Sequence, residues 1–442
     1  MEEKKELSGK ALPRRSIRGS VDLFKSPISN THASTLSPTG PFNNAHPRPL
    51  SPSSNLSTRS ASPAFLPQTK NPLQNDFSAL LNPGLYHTLT ILDIPPPFRK
   101  FATQPDLSIS LSELIGAGKF RDAAIKAAQL LTTSDKTLSS EQVFDLFYKR
   151  LACLTLCNQT VFAVQEVKAL GDLNSAHYRN EKSGKHLVPW ELRILAVRLQ
   201  GIGFGDVRRG VIGYYDLVTE ARLALTKLKS ERKLLGASRE EDIKDMDSEI
   251  ELWERRLSEL GLRVASALIE MEDFEGASRF LSTLQPSPLN PNLNYQKAIL
   301  WLFLGDVEAA RSCAGDNKVV TTLAHIADAE FDEAVKGWED LIETGNQSEL
   351  ALWKQNLAVS LIYLGRIDEA RKIMEKLTDE EGHGFHALTF NLSTIYELCT
   401  ERSRSLKIEL AEKLADKLEI SKNQDHQDIK AGWNKVNLDF KL

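Results

Sequence analysis

From about residue 107 the chain repeats one short arrangement of apolar, polar and small positions. Turn-forming residues lead to an apolar side chain, two mostly polar ones follow, and a small residue closes the unit. The copies are KFRDA (119–123), DVRRG (206–210), DFEGA (273–277), DVEAA (306–310), EFDEA (330–334) and RIDEA (366–370), with a degenerate TVFA ending at Ala163. This pattern predicts the start of the second helix of a helix pair: the small residue lets two helices approach closely, and the apolar residue three positions earlier plugs the turn.

If so, the first helix should carry its own small residue twelve positions earlier, and Ala265, Ala298 and Ala358 stand there. The copy at 356–377, NLAVSLIYLGRIDEARKIMEKL, fits the tetratricopeptide pattern best, with Leu361, Leu364, Gly365, Ile367, Ala370 and Met374 in register. Successive closing residues Ala123, Ala163, Gly210, Ala277, Ala310, Ala334 and Ala370 are 40, 47, 67, 33, 24 and 36 apart. The tetratricopeptide period is ~34, so the repeats are degenerate and carry insertions. The expected fold is all-α: a tetratricopeptide-like α-solenoid of six to seven helix pairs behind a disordered N-terminal leader.

Composition sharpens the division. Of 19 prolines, 15 precede residue 106, and only Pro189, Pro286, Pro288 and Pro291 follow, as a continuous helical body requires. Residues 1–75 are rich in Ser, Pro, Asn and Thr and have too few apolar side chains to offset ordering entropy, which predicts disorder. Four Ser-Pro pairs there, at Ser26, Ser37, Ser51 and Ser62, are candidate phosphorylation sites that would turn the tail less basic. Apolar residues return in 76–106 around Pro95, Pro96 and Pro97, predicting an extended segment that packs on the body or docks a partner. Helix pairs occupy 107–225, a charged helical insertion 226–250, further repeats 251–380, and capping helices with a C-terminal strip 381–442. In that strip Trp433, Leu438 and Phe440 alternate with polar residues and are candidate docking or capping side chains.

Net charge is −4. Residues 1–75 hold ten Lys/Arg against four Asp/Glu, which is +6 and leaves about −10 on the rest. An acidic body predicts no general affinity for nucleic acid or anionic membrane. Four cysteines, Cys153, Cys157, Cys313 and Cys399, do not make a disulfide framework and point to a reducing compartment. The longest strongly apolar run, AILWLFLG at 298–305, is far short of the ~18 residues of a bilayer span. Membrane contact is therefore expected only through partners.

Candidate chemistry is sparse. GIGFGD (201–206) superficially resembles a dinucleotide fingerprint, but Asp206 replaces the third glycine and no strand precedes it. Cys153 and Cys157 lie a helical turn apart without a second Cys/His pair to complete a metal site, and His383 and His386 flank Gly384 in a polar turn. No nucleophile elbow or zinc-hydrolase histidine pair is present. The expectation is a non-enzyme without metal or cofactor. A carboxylate-clamp co-chaperone is disfavoured too, because the clamp's Lys and Asn positions hold Leu262 and Ser266, Tyr295 and Ile299, and Gln355 and Val359.

Three stretches resemble the subunit 12 family of the transport protein particle (TRAPP) complexes. FNLSTIYELCTERS (390–403) is similar to that family's Asn-Leu-x-Thr-x-Tyr-Glu-Leu segment, through Asn391, Leu392, Tyr396, Glu397 and Leu398. LVPWELRILAVRL (187–199), with Pro189 and Arg193, and the segment from Trp253 to Ala277 resemble two others. The resemblance covers roughly 107–442. It implies a scaffold whose partners are other TRAPP subunits and, indirectly, a Rab GTPase, cytoplasmic and peripheral at the Golgi or the ER–Golgi region, acting in early secretory traffic and autophagy. Nucleotide exchange belongs to other subunits, so no catalytic residue is implied. A tetratricopeptide adaptor of another assembly, in cargo transport or the nucleus, shares every other feature.

Overall fold

The computed structural model describes residues 76–90, 92, 94, 96–101, 109–133, 138–181, 183–203, 207–235, 240–285, 291–345, 349–379, 384–420 and 440–441. The leader with its four Ser-Pro sites, His383, Trp433 and Leu438 lie outside them. Sixteen α-helices follow one another among the described residues. The first eight are α1 Leu111–Gly116, α2 Phe120–Thr133, α3 Ser140–Leu156, α4 Thr160–Val167, α5 Trp190–Gly203, α6 Val207–Leu235, α7 Glu240–Glu270 and α8 Phe274–Thr283. The second eight are α9 Pro291–Leu304, α10 Val307–Ala314, α11 Lys318–Ala327, α12 Phe331–Thr344, α13 Leu350–Tyr363, α14 Ile367–Asp379, α15 His386–Cys399 and α16 Ser403–Ile420.

Helices adjacent in sequence pack on each other, and the core is correspondingly serial. One apolar cluster gathers α1 to α5, a second α5 to α10, a third α11 to α13 around Trp338 and Trp353, and a fourth α12 to α16. A core built from neighbours in sequence is what defines a solenoid.

Each even-numbered helix from α2 to α14 begins three residues before the closing small residue, at an apolar side chain in all but α4, which starts at Thr160. The closing alanines 123, 163, 277, 310, 334 and 370, and first-helix Ala265, Ala298 and Ala358, are fully buried. Gly210 lies against Gly201, so close that a Cβ on Gly201 would sit 3.3 Å from the Gly210 Cα. Gly365 is different: it is exposed, with φ +78°, and serves the turn rather than the interhelical contact.

That turn recurs. A left-handed residue stands two positions before the second helix in six pairs: Gly118, Asn158, Glu272, Gly305, Ala329 and Gly365. The next residue's N–H donates to a carbonyl five positions back, as in Lys119 to Leu114 (2.9 Å), Asp273 to Leu268 (3.0 Å) and Arg366 to Leu361 (2.9 Å). This is the Schellman arrangement that satisfies the last carbonyls of the first helix. In two copies the residue that follows caps the second helix: Asp273 accepts from the Gly276 N–H and Asp306 from the Ala309 N–H, both at 2.9 Å.

The segment before α1 is not continuously extended. It forms 3-10 turns at Ser78–Leu81, Pro83–Leu85 and Pro96–Phe101, because Asn82 caps the second turn and proline fixes φ at its start. The charged stretch around 226–250 lengthens two successive helices, α6 and α7, which pair along their length.

Candidate interaction surfaces

The described residues of 77–101 lie on the body as a strap. Phe77 and Leu80 enter the first cluster, and Ile94 and Phe98 enter the last. Its middle is clasped by a buried ion pair. Arg150 of α3 donates from Nε to Glu166 Oε2 (3.0 Å) and from Nη2 to Oε1 (2.7 Å). The same two side chains hold the strap at His87, whose N–H donates to Glu166 Oε1 (2.9 Å) and whose carbonyl accepts from Arg150 Nη2 (2.7 Å). The guanidinium also donates to the Ala124 carbonyl (3.0 Å) and stands 5.9 Å from the Tyr86 ring centroid, while the His87 ring stacks on Phe162. Arg121 of α2 donates to the Thr90 carbonyl.

Two of the residues singled out by the family resemblance meet where α5, α6 and α7 join. Arg193 is buried and forks onto Glu220, Nη1 to Oε1 at 2.9 Å and Nη2 to Oε2 at 2.6 Å. Its guanidinium covers the Trp190 ring, Trp253 meets that ring edge-on at 5.3 Å, and Arg256 lies over both indoles. Burial raises the Glu220 pKa, but the hydrogen bond and charge of Arg193, with Arg179 beside it, outweigh burial and leave it lowered. Pro189 precedes the first turn of α5 and takes the first backbone bond of that helix, from Arg193.

The remaining motif residues lie on α15. Leu392 and Tyr396 are buried in the last cluster. The Tyr396 hydroxyl donates to Glu375 of α14 (3.1 Å) beneath Arg371, and burial, reinforced by Glu375, pushes its pKa well up. Glu397 receives Lys407 of α16 (2.7 Å) and Lys441 (3.1 Å), Asn391 is half-buried, and Leu398 faces out, 67% exposed. Phe440 is buried and stacks on Phe98 at 6.0 Å, while Lys441 binds Thr394 through Nζ and Lys407 through its carbonyl. Residues 440–441 therefore seal the final pair together with the strap.

Among the described residues, several groups weighed for chemistry make packing contacts. Cys153 is buried, and burial raises its thiol to about 12 and that of Cys157 to about 11. Gly201 and Gly203 end α5 where it abuts α6 and Val164, and His386 opens α15 against Phe390. Among the described residues no group of three or more His, Cys, Asp or Glu is placed to hold a metal ion, and no helix is long and apolar enough to cross a membrane. Two features escaped the sequence pattern: the Arg150–Glu166 clasp, whose partners are 16 residues apart in a non-repeating position, and the left-handed turn residue, hidden where Asn158, Glu272 or Ala329 replaces glycine.

Comparison with known proteins agrees with the motif resemblance. The chain is 24% identical over 344 residues to trafficking protein particle complex subunit 12 of Mus musculus, covering 70% of this chain and 43% of that protein. The Homo sapiens protein of the same name is 24% identical over the same length, covering 70% and 46%. The chain thus resembles subunit 12 over most of its length and spans less than half the length of these curated relatives. No family model matches it, and no solved structure does.

Proposed function

We propose that the chain is a non-catalytic scaffold subunit of a TRAPP-type tethering and Rab-activating assembly. It works in transport between the endoplasmic reticulum and the Golgi and in autophagy, and binds other TRAPP subunits and, through them, a Rab GTPase. The observation that carries this reading is the alignment to subunit 12 along 70% of the chain, coinciding with a serial helical body. Physical support comes from the architecture: stacked helix pairs present long surfaces and need no convergent polar pocket. The helix pairs are tetratricopeptide-like in register, and residence at Golgi-region membranes comes through the partners.

The test is affinity purification of the tagged full chain with quantitative mass spectrometry. Recovery of TRAPP subunits in comparable molar amounts is expected. Recovery of chaperones, cargo adaptors or nuclear proteins in their place replaces this reading. Isolated chain added to nucleotide-loaded Rab GTPase should leave exchange at the uncatalysed rate.

A further inference from the structure

Helices α6 and α7 are the two longest of the described residues, 29 and 31 residues, and their shared far half is thinly packed. No residue from Arg222 to Leu234, or from Ile243 to Glu259, is fully buried. Its apolar residues Leu225, Leu228, Met246 and Ile250 are only half-buried, and ion pairs also join the two helices there: Lys229 with Glu254 at 2.7 Å, and Arg232 with Asp247. Salt-screened pairs of this kind add little, and apolar side chains are left over.

Exposed apolar side chains form a line along the whole of α6, with Tyr215 meeting Phe280 edge-on. Ile212, Tyr215, Leu223 and Leu234 are 60, 43, 68 and 86% exposed. Their spacing, with Thr219, Thr226 and Ser230 between them, follows the three- and four-residue steps of one helix face. The opposite face, through Tyr214, Leu217 and Ala221, is buried. The line runs for 22 residues, roughly 33 Å at the rise of an α-helix, which matches a long helix and not a short peptide.

Charge decides what fits. Helix α6 carries Arg208, Arg209, Arg222, Lys227, Lys229, Arg232 and Lys233 against Asp216, Glu220 and Glu231, a net charge of +4; Glu220 is taken by Arg193 and Glu231 by Lys227, while Lys229 and Arg232 turn to α7. Beside it α7 holds ten acidic residues and four basic ones. An anionic bilayer broad enough to receive α6 would meet that acidic helix and be repelled. A single acidic helix lying along α6 meets a helix of net positive charge.

We propose that the exposed face of α6 docks an acidic amphipathic helix of a partner polypeptide, its apolar stripe on Ile212, Tyr215, Leu223 and Leu234 and its carboxylates on the flanking cations. The interface completes a three-helix packing that the α6–α7 pair lacks. The proposal is independent of which assembly the chain belongs to.

The test places a photo-crosslinking amino acid at Leu223 of the full chain and maps the adducts in the purified assembly. The expected adduct is a peptide of another polypeptide, net negative, with apolar residues at three- and four-residue steps. Lys227→Glu with Lys233→Glu should lower its yield tenfold or more with an unchanged melting temperature, because both lysines are exposed. The adduct should also fade as salt rises. An adduct with lipid, with a second copy of this chain or with a basic peptide overturns the proposal. So does the absence of an adduct, or a yield indifferent to the charge reversal.

Discussion

Arg150 and Glu166 meet between α3 and α4 with both side chains closed to solvent, and between them they hold the backbone of His87 at its N–H and its carbonyl. Each charge has lost its water, so neither tolerates losing the other.

Arg150→Met is expected to destabilise the protein by about 3–5 kcal/mol, the cost of stranding a buried carboxylate. Arg150→Met combined with Glu166→Leu should recover much of that loss, since an apolar pair of similar volume is tolerated in such a site. The strap would still be released. Hydrogen exchange at the His87 amide should therefore speed up in the double variant even as the denaturation midpoint returns. A single variant as stable as the parent contradicts the clasp.

The recurring left-handed turn makes two opposite expectations. Ala329 adopts φ +64° with a Cβ, whereas Gly365 adopts φ +78° without one. A left-handed L-residue costs roughly 1–2 kcal/mol, so Ala329→Gly should stabilise, partly offset by glycine's greater freedom when unfolded. Gly365→Ala should destabilise by about 1 kcal/mol. Thermal unfolding of the two variants in parallel checks the sign of each.

Phe98 and Phe440 stack between the strap and residues 440–441, both buried beside α16. Either phenylalanine changed to alanine should cost about 3–5 kcal/mol locally, read as faster exchange in α15 and α16 while α1 to α5 keep their protection. A double-mutant cycle should give a coupling of about 0.5–1.5 kcal/mol. Additive effects mean the rings do not meet.

Glu220 has a lowered pKa in the folded chain. A depressed carboxyl contributes stability that is present above its unfolded value of about 4.5 and lost as pH falls through the folded value. Stability should thus decline below pH ~4.5 with a component that vanishes in Glu220→Gln. Acid titrations of parent and variant that differ by a constant offset contradict this.

How much was legible in the sequence depended on whether a residue acts locally or at long range. The closing alanines and the apolar residue three positions earlier were readable because a helix pair imposes them at fixed spacing. The N-capping Asp273 and Asp306 follow from the same unit. The left-handed residue was not readable, since satisfied carbonyls stabilise the turn even where Ala329 or Glu272 bears the strain. The strap's turns and its union of the first and last clusters depend on contacts such as His87 with Glu166, 79 residues apart, which no periodicity encodes. On α15 the motif reads as a capping helix that packs Leu392, Ile395 and Tyr396 on the preceding pair, and all three are buried, whereas Leu398 of the same motif is exposed.

If the chain acts by holding TRAPP subunits together, as proposed, the mass of the species that contains it reports this most directly. Native extracts carrying the tagged full chain are resolved by size-exclusion chromatography with light scattering, and each fraction is read by quantitative mass spectrometry. The account predicts that the chain elutes in a large species together with TRAPP subunits at fixed molar ratio, and that the ratio holds across the peak. A chain that elutes at its own mass, or in a large species devoid of TRAPP subunits, contradicts it.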